Sequence, residues 1–88
     1  MISKAYVIQA AEGIHARPAT ALLKLSRNFT SVISLRKDGK TVKLNSMLNI
    51  LAMATKGGET LTVLVEGEDE QQAAAALDHF FTTELKKL

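Results

Sequence analysis

The stretch Val32-Ile33-Ser34-Leu35-Arg36-Lys37-Asp38-Gly39-Lys40-Thr41-Val42-Lys43-Leu44 decides the fold. Residues 32–36 and 40–44 alternate apolar and polar side chains with the two-residue period of a half-buried strand. The Asp38-Gly39 pair between them is a strong signal for a tight two-residue hairpin turn. The sheet therefore contains an antiparallel pair with one face turned to a core. Working outward, residues 61–66 form the clearest strand, with Leu61, Val63 and Val65 on one face and Thr62, Leu64 and Glu66 on the other. Residues 4–8 read as a first strand, and residues 16–28 carry the apolar spacing of a helix. Residues 47–54 form a short helix stopped by Gly57-Gly58.

A last helix begins at Asp69. Asp69 with Gln72 resembles a capping box, the first turn is acidic, and Lys86 and Lys87 lie in the last turn. Its core stripe is expected through Ala73, Leu77, Phe80 or Phe81, and Leu88. The order is β-α-β-β-α-β-α. This predicts an α+β open-faced β-sandwich, a four-stranded antiparallel sheet with three helices on one face. Residues 1–88 are expected to form a single domain, with the opposite sheet face partly open to water.

Composition narrows the function. A chain of 88 residues can build one core but cannot enclose a deep cleft between lobes, so function is expected on the surface. Hydrophobic residues make up 47% and charged residues 23%, and the net charge is only +2. No basic block or aromatic-basic interleaving supports a nucleic-acid reader. Without cysteine, disulfides, thiolate zinc sites and thiol catalysis are excluded. The start of the chain has no signal-peptide pattern and no segment is long enough to span a bilayer, so a cytoplasmic protein without membrane insertion is expected. No cofactor or metal is implied, since the only histidines are His15 and His79 and no ligand cluster surrounds either. His79, within the last helix, has no acid or arginine constellation nearby and reads as structural or exposed.

The chemistry concentrates in Gly13-Ile14-His15-Ala16-Arg17-Pro18-Ala19-Thr20. Backbone N–H groups at a helix start have no intrahelical partners, and the helix dipole adds positive potential there, so His15 sits where an anion is favoured. A histidine in this place can also be a simple cap. Gly13 permits positive φ and a close approach to a ligand, and Pro18 fits the first turn because its missing N–H would have been unpaired. The positive helix end and Arg17 both disfavour imidazolium, leaving a neutral ring nitrogen as nucleophile. Arg17 can clamp phosphate oxygens through its forked donors.

Ser46 has the residue type and position of an N-cap before the short helix, and a phosphate there would meet free N–H groups. Arg17, Thr20, Lys24 and Arg27 recur on one side of the first helix, while Ala19, Leu22, Leu23 and Ser26 with Phe29 face inward. That stripe is either a solvated face or a dock for an acidic partner. Met47, Leu48 and Leu51 either join the core or form an exposed patch for partners, since Ile50 and Met53 or Ala54 can supply the short helix's buried side.

The Gly13-Ile14-His15-Ala16-Arg17-Pro18-Ala19 motif, the Ser46-Met47-Leu48 segment and the element order resemble the HPr family, histidine-containing phosphocarriers of the phosphoenolpyruvate-dependent sugar phosphotransferase system. The resemblance spans essentially the whole chain. It implies a carrier protein that is not an enzyme. His15 would take a phosphoryl group on Nδ1 from enzyme I and pass it to the IIA domains of sugar permeases, with Arg17 stabilising the phosphate. Ser46 matches the serine modified by HPr kinase/phosphorylase, with a transcriptional regulator as a further partner. Thr20, Lys24, Arg27, Met47, Leu48 and Leu51 would then line the partner-binding surface of a monomer. The alternatives are a regulatory HPr-like binding module and a phosphocarrier of the nitrogen-related branch. Asn49 departs from the glycine that many regulated members carry.

Overall fold

The computed structural model describes residues 1–88. The strands are β1 (Ile2–Val7), β2 (Val32–Lys37), β3 (Lys40–Lys43) and β4 (Thr60–Glu66). The helices are α1 (Ala16–Ser26), α2 (Met47–Ala52) and α3 (Glu70–His79). The strands form one antiparallel sheet in the order β1-β4-β2-β3. In β4, Leu61, Val63 and Val65 are buried, and they share that inner face with Ile33 and Leu35 of β2 and Tyr6 of β1. Alternate residues such as Val7 and Val32 face solvent. This is the expected open-faced α+β sandwich with three helices.

The β2–β3 turn follows from its sequence. Asp38 has φ +52° and Gly39 φ +80°, the double positive φ of a type I′ turn, whose twist matches that of the flanking strands. Register is then fixed by pairs such as Leu35 with Val42 and Lys37 with Lys40. The inner faces of α1 and α2, with the C-cap Met53, complete the core through Ala19, Leu22, Leu23 and Ile50.

Three local expectations are corrected. First, α2 ends before the two glycines: Met53 is the C-cap and Ala54 turns the chain at φ +48°. Gly57 instead lets another loop pass close by, since a Cβ there would lie 2.5 Å from the Ala10 carbonyl oxygen. Second, Asp69 stands at the N-cap of α3 but its side chain makes no capping bond. Its carboxylate accepts from the Thr30 and Ser31 amides at 2.8 and 2.9 Å and from the Ser31 hydroxyl. Ser31's hydroxyl, followed by the Thr30 amide, holds the Asp69 carboxyl below its ordinary range. Glu70 supplies the local bond, accepting from the Gly67 amide at 3.2 Å.

Third, the last helix changes pitch. After His79 it widens into a π turn over Phe80–Glu84, with the Leu85 amide reaching back to the Phe80 carbonyl, and closes with a 3₁₀ turn over Leu85–Lys87. The wide turn brings both Phe80 and Phe81 inward and makes Leu85 a fully buried residue, leaving Leu88 only partly buried against the core. Phe81 stacks on Tyr6 with ring centroids 4.9 Å apart. The Tyr6 hydroxyl donates to Asp78 at 2.7 Å, tying β1 to α3. Burial is the first cause, and the Asp78 carboxylate the second, of a raised Tyr6 pKa.

Candidate functional site

His15 is the residue immediately before α1, in extended conformation at φ −90° and ψ −168°. Its carbonyl accepts from the Ala19 amide at 3.0 Å, but its side chain makes no capping hydrogen bond. The cap role is therefore confined to the backbone. The Ala16 and Arg17 amides have no protein acceptor, and Pro18 has no amide hydrogen to offer. Two unpaired donors and the positive end of an eleven-residue helix thus lie next to the imidazole.

The ring is 32% exposed, and its Nε2 lies 3.3 Å from the Glu12 carboxylate. Nδ1 has no protein partner. A carboxylate can only accept, so Glu12 favours a hydrogen on the nitrogen it faces, Nε2, over one on Nδ1. The ring opens onto a groove of about 450 Å³ lined by Gln9, Ala10, Ala11, Glu12, Lys86 and Leu88.

The loop beneath His15 is held by backbone contacts. The Gly13 amide donates to Ala10 and the Ile14 amide to Thr55, both at 2.9 Å. Gly13 has the expected positive φ, +70°, yet its close approach is to protein and not to a ligand: a Cβ would fall 2.1 Å from the Thr55 carbonyl oxygen. That segment, which joins α2 to β4, is itself fastened. Lys37 Nζ donates to the Ala54 carbonyl at 3.1 Å and to Glu59 at 3.2 Å, and Glu59 also accepts from the Lys56 amide at 2.6 Å. The Lys56 amide is the first cause, and the Lys37 ammonium the next, of a Glu59 pKa below the usual carboxylate range. A chain of contacts from β2 through residues 54–59 to Ile14 consequently fixes where α1 begins.

Arg17 is exposed, and no ion pair or hydrogen bond restrains its guanidinium. Thr20 sits one turn on, donating to the Ala16 carbonyl at 2.8 Å and lying 3.8 Å from Met47 Sδ, so it connects α1 to α2. Lys24 and Arg27 are exposed on the same side of α1 as Arg17, while Ala19, Leu22, Leu23 and Ser26 are buried. On α2, Ile50 and Met53 take the core side. Leu48 is left 78% exposed and Leu51 42% exposed, with Met47 half-buried. The structure therefore brings the basic stripe and the apolar patch onto neighbouring helices.

Ser46 is the N-cap of α2, and its Oγ accepts from the Asn49 amide at 3.1 Å. Asn49 adds bonds to the Lys43 carbonyl and to Asn45, at 3.1 and 3.0 Å, which brace this helix start from its other side. His79 is exposed as expected, but the surroundings read from sequence are corrected: its Nδ1 lies 3.2 Å from Glu84, which the π turn brings alongside. Two residues of the His15 neighbourhood escaped sequence reasoning. Glu12 could have been flagged as an acid three positions before the histidine. Thr55 carried no local signal, because its contribution is a backbone carbonyl from a distant segment.

Comparison with known proteins defines the class. The family model described as the PTS HPr component phosphorylation site matches residues 2–83. The chain belongs to the HPr phosphocarrier family of the phosphotransferase system. Among individual relatives, it is 37% identical over 84 residues to the HPr-like protein Crh of Halalkalibacterium halodurans, covering 96% of this chain and 100% of that one. It is 44% identical over 70 residues to the phosphocarrier protein HPr of Lysinibacillus sphaericus, covering 80% of each chain. The crystal structure of HPr-C-His from Thermoanaerobacter tengcongensis superposes with a TM-score of 0.91 at 29% identity, covering 97% of this chain and 96% of that one.

Proposed function

We propose that residues 1–88 act as one phosphoryl-carrier domain: His15 accepts a phosphoryl group from phosphorylated enzyme I and donates it to IIA domains of sugar permeases. The observation that carries this reading is the helix start at His15, where an uncapped imidazole adjoins two amides without acceptors. Nδ1 is the attacking nitrogen in this reading, since Glu12 lies beside Nε2 and leaves Nδ1 open. The Ala16 and Arg17 amides and the Arg17 guanidinium hold the phosphate oxygens, a charge-assisted arrangement that needs no enclosed pocket. Phosphoryl transfer depends chiefly on alignment and charge stabilisation, so each partner can supply the rest of the site.

The N–P bond formed is a phosphoramidate. Transfer onward from it remains favourable in a way that transfer from a serine ester is not. The protein therefore acts as a carrier and not as an enzyme with turnover of its own. Thr20, Lys24 and Arg27 attract acidic partner surfaces, and Met47, Leu48 and Leu51 provide the apolar contact for brief docking of a monomer in the cytoplasm. Ser46 is a regulatory acceptor for HPr kinase/phosphorylase: a phosphate at the N-cap meets helix amides, and its charge acts on partners.

The likeness to an HPr-like protein gives weight to a second reading, a module that signals through Ser46 to a transcriptional regulator. His15 and its uncapped geometry favour the carrier, since such a module has no need of a reactive imidazole. Incubation with enzyme I and labelled phosphoenolpyruvate separates the two. The carrier reading expects an acid-labile label that is lost in His15→Ala, and an unlabelled wild-type protein would refute it.

A further inference from the structure

The acid beside His15 has work to do beyond occupying one nitrogen. Glu12 lies three residues before the histidine, across the turn made by Gly13, and its carboxylate is 3.3 Å from Nε2. Lys86 and Leu88 line the same groove, and Arg17 lies on the first turn of α1. Glu12 is the acidic side chain within ion-pair distance of the ring, and it approaches the nitrogen opposite the proposed point of attack.

We propose that Glu12 is a positioning residue for His15, holding a proton on Nε2 through both halves of the transfer; the proposal rests on the carrier reading above. When Nδ1 attacks, its lone pair forms the new N–P bond, the donor's N–P bond breaks, and that electron pair returns to the donor nitrogen. The Nε2 proton stays where it is. The product is an N-phosphoimidazolium whose positive ring faces the Glu12 carboxylate. When the phosphoryl group moves on, the N–P electrons return to Nδ1 and the leaving group is neutral imidazole. Without the Nε2 proton it would be imidazolate, a far poorer leaving group. By retaining that proton, Glu12 keeps the phosphorylated carrier in its reactive form, as a carboxylate does for histidine in an acid–histidine pair. The contact is free to tighten when the ring becomes cationic.

The test compares Glu12→Ala, Glu12→Gln and wild type in two measurements. In single-turnover transfer from the purified phosphoprotein to a IIA domain, Glu12→Ala is expected to be slower by about threefold, the scale of one solvent-exposed charge contact. Glu12→Gln should recover part of the rate, because its amide oxygen offers Nε2–H an acceptor at the same place. In ring ¹⁵N spectra of the unphosphorylated proteins, the Nε2–H tautomer should fall in Glu12→Ala and be retained in Glu12→Gln. Unchanged tautomer populations would overturn the proposal, as would equal or faster transfer by Glu12→Ala, which would leave the acid as a mere repulsive charge. The spectra need no phosphoryl donor. A wild-type protein that takes no phosphoryl group would sink the carrier reading while the tautomer result still judged Glu12.

Discussion

The two helix starts, at His15 and at Ser46, are built from the same backbone plan and used differently. Both residues are extended N-caps whose carbonyls accept the first helical bond, from Ala19 at 3.0 Å and from Ile50 at 3.3 Å. Ser46 turns its Oγ onto the Asn49 amide, so its side chain serves the helix. His15 makes no side-chain cap, so its ring and the Ala16 and Arg17 amides are left unengaged by the helix. On the proposed carrier reading, a helix start is free for chemistry when its side-chain cap is withheld and something else fixes the chain. At His15 that substitute is the backbone lock between Gly13-Ile14 and Thr55.

The sharpest way to break this comparison is to remove the lock. Gly13→Ala places a methyl group against the Thr55 carbonyl at a φ of +70°, and we expect destabilisation of about 3 kcal/mol, read as a lower denaturant midpoint. Phosphoryl acceptance should fall with it even in the folded fraction, because α1 would start from a displaced His15. Normal stability and acceptance would show that the lock is dispensable.

Next in size is the charge at the reactive start. Arg17→Glu should slow acceptance from enzyme I at least about tenfold by removing a charge-assisted phosphate contact. Lys24→Glu, two turns along α1, should slow it less, and equal slowing would reduce Arg17 to one member of a general basic surface.

The capped start should respond in stability first. Ser46→Ala is expected to cost about 1 kcal/mol in urea unfolding by leaving the Asn49 amide without its acceptor, with acceptance at His15 unchanged. Ser46→Asp should keep the fold and weaken enzyme I binding through like-charge repulsion, measurable by titration calorimetry. Unaltered affinity would remove the basis for regulation through this residue.

The smallest effect concerns the far end of α2. Ala54→Gly should raise stability by about 0.5 kcal/mol, since relief of left-handed backbone strain at φ +48° slightly outweighs the added freedom of the unfolded chain. A loss of stability would mean that unfolded-state entropy dominates there.

Features that depend on a few neighbouring residues were legible from the chain. Asp38-Gly39 announced its turn, Leu61, Val63 and Val65 announced their face, and the α1 stripe separated Leu22 and Leu23 from Arg17 and Lys24. Features settled by distant partners were not. Asp69 has the residue type of a cap, yet two amides and a hydroxyl nearly forty positions back in sequence bind it instead. Gly13 has the residue type of a ligand-approach glycine, but the backbone it approaches is that of Thr55. The π turn shifted burial from Leu88 toward Leu85, an outcome that strict 3.6-residue spacing cannot foresee. At the proposed site, His15 and Arg17 stand out in the sequence, whereas the approach of Glu12 to His15 depends on how the turn folds.

The most direct test of the contrast between the two helix starts is to identify the atom that carries phosphate after reaction with enzyme I and labelled phosphoenolpyruvate. The account predicts a single acid-labile phosphoryl group on His15 Nδ1, resolved by ³¹P and ring ¹⁵N spectra, with Ser46 unlabelled. Phosphate on Nε2, an acid-stable ester on Ser46, or labelling that survives His15→Ala would contradict it.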